Sequence, residues 1–169
     1  MFFANPIKYS FIFIVSVFLQ VLVLNHILVF RMISPFFYLI FLLLLPYDTP
    51  RAMLIFLGFI LGLSVDAFTN TLGVHAAVCT MIGFIRPGLL NKISTRETRE
   101  SVSAPRISTM SLNWFIGYTA IFVAIHHTLL FMLEAFTFQG FFFTIARAFL
   151  SGILSMILIV ISQFLFFRK

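Results

Sequence analysis

Four long apolar stretches, at residues 9–28, 52–68, 114–133 and 141–167, are separated along the chain by short polar breaks. Each is close to the roughly 20 residues that an α-helix needs to cross the hydrocarbon core of a bilayer. The pattern predicts membrane spans rather than the buried helices of a water-soluble domain. Two weaker apolar segments lie between them, and the prolines define their limits. Pro6 precedes the first stretch, Pro35 opens a second, Pro46 closes it, Pro50 opens the third, Pro87 closes a fourth, and Pro105 falls in a polar loop. Proline lacks the amide donor, so a helix tolerates it in its first turn or beyond its last.

The chain is therefore read as an all-α, polytopic membrane protein: one transmembrane domain over residues 1–169, with six transmembrane helices. The helices are placed at about 8–29, 33–46, 50–69, 71–90, 112–134 and 140–167. The second is the shortest. From Arg31 to Pro46 a helix rises only about 22 Å, less than the ~30 Å core, so a short span wrapped by its neighbours is expected. The first helix is too long for a secretory signal and lacks a small-residue cleavage site, so it is expected to be retained.

Charge orients the bundle. Residues 91–111 form the one long loop and carry Lys92, Arg96, Glu97, Arg99, Glu100 and Arg106. With six spans and both termini in the cytoplasm, Lys8, Arg51, Arg86, these loop cations, Arg168 and Lys169 all fall on the inner side, and Arg31 is left outside. That asymmetry is what the positive-inside rule requires.

Composition agrees: 62% of the residues are hydrophobic, 9% are charged, and mean hydropathy is +1.13. The net charge of +6 does not point to nucleic acid, because the basic residues sit between apolar runs rather than on one wet patch. A single cysteine, Cys79, excludes an intrachain disulfide and reads as a small core residue. The 25 phenylalanines read as lipid-facing bulk.

The most informative segment runs from residue 58 to residue 75. Gly58, Gly62, Asp66 and Asn70 recur every four residues, so on one helix they form a single stripe. Two glycines allow another backbone to approach closely. A carboxylate one turn further on needs a partner within the protein, because an unpaired ionised group at membrane depth costs several kcal/mol, as a rough figure. The glycines alone are accounted for by packing of one helix on its neighbour. Asp66 adds a reason to look for function.

Depth provides a second clue. Asp66 lies 16 residues from the inner end of its helix, roughly 24 Å of rise. His75, His126, His127, Glu134 and Arg147 also fall toward the outer side. Asp66, Asn70, His75, His127, Glu134 and Arg147 are therefore expected to converge on an outward polar cluster, with Arg147 paired to Asp66 or Glu134. The competing reading leaves Glu134 and the histidines at the interface, touching water, and Arg147 extended toward it.

No metal site is expected, because adjacent histidines diverge by about 100° on a helix and no zinc-type spacing occurs. No catalytic residues are assigned either. Gly62-Leu63-Ser64 begins like a nucleophile elbow, but Asp66 stands where the second glycine belongs and the setting is a membrane helix. No phosphate-cradling glycine loop occurs. The chain is read as a non-enzyme without a cofactor.

The ordered set Gly58, Gly62, Asp66, followed by Leu72-Gly73-Val74-His75-Ala76 and a short apolar helix ending at Gly83–Gly88, resembles the MreD family of rod shape-determining proteins. Length, span count and the basic inner loop extend the likeness over the whole chain; the distinctive motif covers about 58–88. The resemblance implies a multi-pass protein of the bacterial inner membrane, both termini cytoplasmic, with Gly58, Gly62, Asp66 and Gly73 as the packing or partner-binding motif. It implies binding to MreC, through its transmembrane helix and periplasmic part. Through MreC it implies work with MreB, RodA and a class B penicillin-binding protein in lateral peptidoglycan synthesis. It also implies a fold like the six-helix S components of energy-coupling-factor transporters. His126 and His127 belong to no pattern of the family.

Two functional classes follow. One is a membrane scaffold that grips MreC at small residues. The other is a substrate-binding transporter subunit with an outward pocket, which the position of the sole tryptophan, Trp114, at an inner helix end makes the weaker reading. An enzyme acting on lipid-linked precursors comes third, since basic residues beside membrane helices commonly meet anionic headgroups instead.

Overall fold

The computed structural model describes residues 5–26, 33–137 and 139–166. Seven α-helices occur in the described residues: α1 (Pro6–Leu22), α2 (Leu39–Leu43), α3 (Arg51–Thr69), α4 (Val74–Ile93), α5 (Arg96–Ser101), α6 (Leu112–Ala135) and α7 (Phe141–Phe166). A turn of 3₁₀-helix, Leu24–His26, extends α1. Four stretches are long and apolar enough to cross a membrane: Pro6–His26, Arg51–Thr69, Leu112–Ala135 and Phe141–Phe166. The protein is thus an all-helical membrane protein. The loop with Arg31 that was expected on the outer side, the last turn expected for the first helix, and Arg168 and Lys169 lie outside the described residues.

The long helices pack chiefly in two sequential pairs, α3 with α4 and α6 with α7. α3 and α4 form the tightest hairpin, joined by a turn whose backbone needs left-handed conformations at Asn70 (φ 54°) and Gly73 (φ 81°). Glycine adopts the second without strain because it has no Cβ. Gly58 lies against the backbone of Cys79, Gly62 against that of His75 and Ala76, and Gly83 against that of Leu54. The first turn of α1 and the last turn of α7 line one groove, so they share an end of the bundle. Trp114, opening α6, donates its indole N–H to Ile93 O at the close of α4 (3.1 Å), so these two helix ends also meet.

Two expectations are corrected. Pro87 does not close the fourth helix: it lies inside α4, which continues to Ile93. More consequentially, the helix expected over 33–46 is only Leu39–Leu43, flanked by irregular backbone on both sides. That segment is the centre of the protein. Residues 38–45 are each 2% exposed or less, enclosed by α1, α4, α6 and α7. Fourteen residues are too few for a helical span, and Pro35 and Pro46 remove amide donors at either end, so the chain runs through the interior partly extended, where rise per residue is about twice that of a helix.

Candidate functional site

Irregular backbone at membrane depth is tolerated only where protein groups replace water for every N–H and C=O. The broken segment over 33–46 raises that requirement at both ends of α2, and a set of buried polar side chains from α1, α4, α6 and α7 answers it.

On the side preceding α2, the donors go to α7 and α1. Ser34 N–H reaches Ser151 Oγ (3.1 Å), Phe36 N–H reaches Ser155 Oγ (2.8 Å) and Phe37 N–H reaches Gln20 Oε1 (2.7 Å). Pro35 has no N–H, and its carbonyl accepts from Gln20 Nε2 (2.9 Å), which also donates to Asn25 (2.8 Å). Gln20, Ser151 and Ser155 are 1% exposed or less. Ser151 and Ser155 stand one turn apart on α7, so both face the same strand-like stretch.

On the side following α2, the requirement is for donors. Arg86, 1% exposed, supplies them from α4. Its guanidinium donates to Pro46 O (3.4 Å), to Leu43 O (3.3 Å) and to Leu45 O, while Nε donates to Tyr118 Oη (3.2 Å). Tyr118 in turn donates to Leu43 O (2.9 Å). A planar fork with five N–H groups suits a cluster of carbonyls that one ammonium could not span.

Between the two ends lies an aromatic and imidazole layer. Tyr38 Oη sits between His75 Nδ1 (2.7 Å) and His126 Nε2 (2.8 Å). One hydroxyl hydrogen serves only one of these, so Tyr38 donates to one ring and accepts N–H from the other. His127 bonds Val123 O through Nδ1 (2.9 Å) and Ser155 Oγ through Nε2 (2.8 Å), and the single Ser155 hydroxyl hydrogen has two acceptors in reach, His127 Nε2 and Ser151 O (2.8 Å). Ser155 thereby links Phe36 N–H to His127. Phe36 packs its ring against His75, His126, His127 and Phe131, with centroids 5.4–5.9 Å apart.

Asp66 has a local role. Gly73, at the N-cap of α4, has no side chain to cap the first turn. Asp66 does so from α3: Oδ1 accepts from His75 N–H (3.1 Å) and from the Thr71 hydroxyl, and Oδ2 accepts from Ala76 N–H (2.8 Å). A carboxylate at a helix N-terminus is favoured by the exposed amides and the helix dipole. The glycines bring α3 close enough to α4 for that reach.

The residues singled out in the sequence thus fall into three groups. Asp66, His75 and Gly73 belong to the α3–α4 turn, with Gly58 and Gly62 along the hairpin below it. His126 and His127 join His75 around Phe36. Glu134 and Arg147 pair with each other at 3.8 Å, with side chains 28% and 35% exposed, and Arg147 also stacks over Phe131 (4.4 Å). Phe131 separates that rim pair from the imidazoles, and Asn70 is exposed at the turn. Arg147 therefore meets Glu134 and not Asp66.

Sequence reading missed the groups that serve the broken segment. Gln20, Ser151, Ser155 and Tyr118 are polar residues within apolar runs, which was the available signal. Arg86 reads in the sequence as one of the cytoplasmic charges, but its side chain turns into the core. Among the described residues no group of three histidine, cysteine or carboxylate side chains could hold a metal ion.

The lateral surface carries grooves on either side of α7. One, of about 390 Å³, lies between α6 and α7 and is walled by Ala120, Ala124 and Thr128 on α6 and by Ala148, Gly152 and Met156 on α7. The other, of about 460 Å³, lies between α1 and α7 and is floored by α2 and the residues before it. Comparison with family models, curated proteins and solved structures finds no match for the chain.

Proposed function

We propose that this chain is a non-enzymatic membrane scaffold of the MreD kind, with six passes through a bacterial inner membrane, cytoplasmic termini and a seat for the transmembrane helix of MreC. In this reading it supports lateral peptidoglycan synthesis and rod shape through MreC, and through it MreB, RodA and a class B penicillin-binding protein. The counting of six passes treats α4 and the broken central segment as crossings alongside the four long apolar stretches.

The observation that carries the reading is the α6–α7 groove. Its two walls place residues at four-residue spacing on each helix, most of them small. Helices associate in lipid through close van der Waals contact at small residues, because lipid tails give no hydrophobic drive. Gly58, Gly62 and Gly83 are already occupied within the α3–α4 hairpin, whereas Ala124 and Thr128 on α6 stand exposed along the groove, above the buried Ala148 and Gly152 of α7. The filled centre also favours a scaffold over a substrate-binding subunit, since 38–45 occupy the place where an outward pocket would lie.

The test is co-purification with MreC from detergent. Ala124→Leu and Thr128→Leu, both on the outward face of α6, fill the groove without touching the core. Loss of MreC with an unchanged melting temperature is expected, together with round cells in a strain carrying only the variant. Full retention of MreC by both variants would remove the groove from the interface. A reporter fused after Lys169 that reads out on the external face would defeat the six-pass topology.

A further inference from the structure

We propose that the α1–α7 groove is a binding site for one anionic phospholipid, with the acyl chain along the groove and the headgroup phosphate at Lys8. The groove runs along α1 from Lys8 to Leu19, eleven residues and therefore about 16 Å, roughly one leaflet of a ~30 Å core. Its floor is Ile12, Ser16, Phe37 and Ile40, all buried, while Phe11 and Val15 on one wall are 66% and 43% exposed. A long apolar trough of this depth, open sideways to lipid, accepts a hydrocarbon chain.

Charge selects the class of lipid. Among the described residues Lys8 is the one charged side chain lining the trough; it is exposed and sits in the first turn of α1, where the helix leaves the hydrocarbon. Arg106 lies close enough to act on it electrostatically. Arg106 and Asp48 both act on the neighbouring Tyr9, and Lys8 is the cation that lines the trough. An ammonium at headgroup depth above an apolar trough fits a phosphate bearing net negative charge better than a zwitterion. The placement holds whichever face of the membrane Lys8 occupies.

The experiment is native mass spectrometry of the purified full chain, delipidated in detergent and titrated with phosphatidylglycerol or phosphatidylcholine of the same chain length. One phosphatidylglycerol should bind in preference to phosphatidylcholine, and Lys8→Gln should lower that preference about fivefold, the size of one basic residue's attraction to an anionic surface. Val15→Trp, which fills the trough, should remove both lipids; Lys8→Gln leaves the packing untouched and keeps the test decisive if the tryptophan variant does not fold. Equal binding of the two lipids by the wild-type chain, or a preference unchanged in Lys8→Gln, would overturn the proposal. So would a dimer whose formation Val15→Trp abolishes while lipid binding persists, because the occupant of the trough would then be a second copy.

Discussion

Gly62→Ala gives the sharpest test of how α3 and α4 are held together. A Cβ at this position lands on the backbone of His75 and Ala76, where no side chain can rotate away. The hairpin must therefore open. Overpacking of this kind costs about 1–3 kcal/mol, and the better helix propensity of alanine returns up to ~1 kcal/mol of it. The larger loss follows from Asp66, one turn further along the same helix. Its carboxylate caps α4 through His75 and Ala76, the residues being pushed away. Hydrogen bonds to a charged group contribute roughly 1.5–3 kcal/mol each, so weakening these brings the total to about 3 kcal/mol. For a chain of this length that corresponds to a melting temperature lower by roughly 6–12 °C. Thermal unfolding in detergent, followed by the fluorescence of Trp114, is the measurement. Gly117→Ala is the control: a Cβ there meets nothing within 4 Å, so melting should rise by about 2–4 °C through propensity alone. If both variants move in the same direction, or Gly62→Ala melts within 2 °C of the wild type, close backbone contact is not what joins the hairpin.

Three further outcomes are expected. Arg86→Leu orphans Leu45 O and takes one donor each from Leu43 O and Pro46 O, which keep Tyr118 and Thr49; at about 1–3 kcal/mol for the orphaned carbonyl and ~1 kcal/mol for each of the other two bonds the loss is about 3–5 kcal/mol, and Arg86→Lys should recover only part because an ammonium lacks the planar fork; yield and melting of the two variants check this. Ser155→Ala removes the acceptor for Phe36 N–H and a hydrogen-bond partner of His127, so amide hydrogen exchange at Phe36 should accelerate roughly tenfold or more, at ~1.4 kcal/mol per decade, while exchange in α3 stays unchanged. Asp66→Asn keeps an oxygen to cap α4 and should lose about 1 kcal/mol, whereas Asp66→Leu loses the cap entirely and should lose about 3 kcal/mol or more; equal melting temperatures for the two would show that the cap contributes nothing.

The four long spans were legible because each apolar run is long enough to leave one interpretation, and proline and glycine marked the breaks. The glycine and aspartate spacing was legible as a stripe facing protein. What it faces, the start of α4, follows only from the turn at Asn70 and Gly73, since a left-handed pair brings Asp66 back over the amides of His75 and Ala76. Residues 33–46 were the difficulty. Periodicity reports which face of a regular element is buried, and a segment buried on all sides has no polar face to report. Its apolar run reads equally as a short helix or an extended chain, and length gave the only hint. Arg86 was hidden for a related reason: a cation near the end of a span reads as a headgroup charge unless the carbonyls that recruit it are already known to be there.

The placement of polar groups limits how this protein recognises anything within the membrane. Gln20, Arg86, Tyr118, Ser151 and Ser155 are committed to the backbone on either side of α2, and Asp66 to the cap of α4. None of these side chains can turn outward without leaving a buried N–H or C=O unmatched, at a cost of about 1–3 kcal/mol each. Contacts made from the lipid side must therefore rely on the shape of the lateral grooves and on charge at their ends. Stability and recognition should consequently separate in space. Substitutions around 33–46 should change melting and leave partner preference intact in whatever fraction folds, while substitutions at Ala124, Thr128 or Lys8 should change what binds and leave melting alone. A variant on the outward face of α6 that lowers melting as much as Arg86→Leu would break that separation, and with it the assignment of the polar core to holding the central segment.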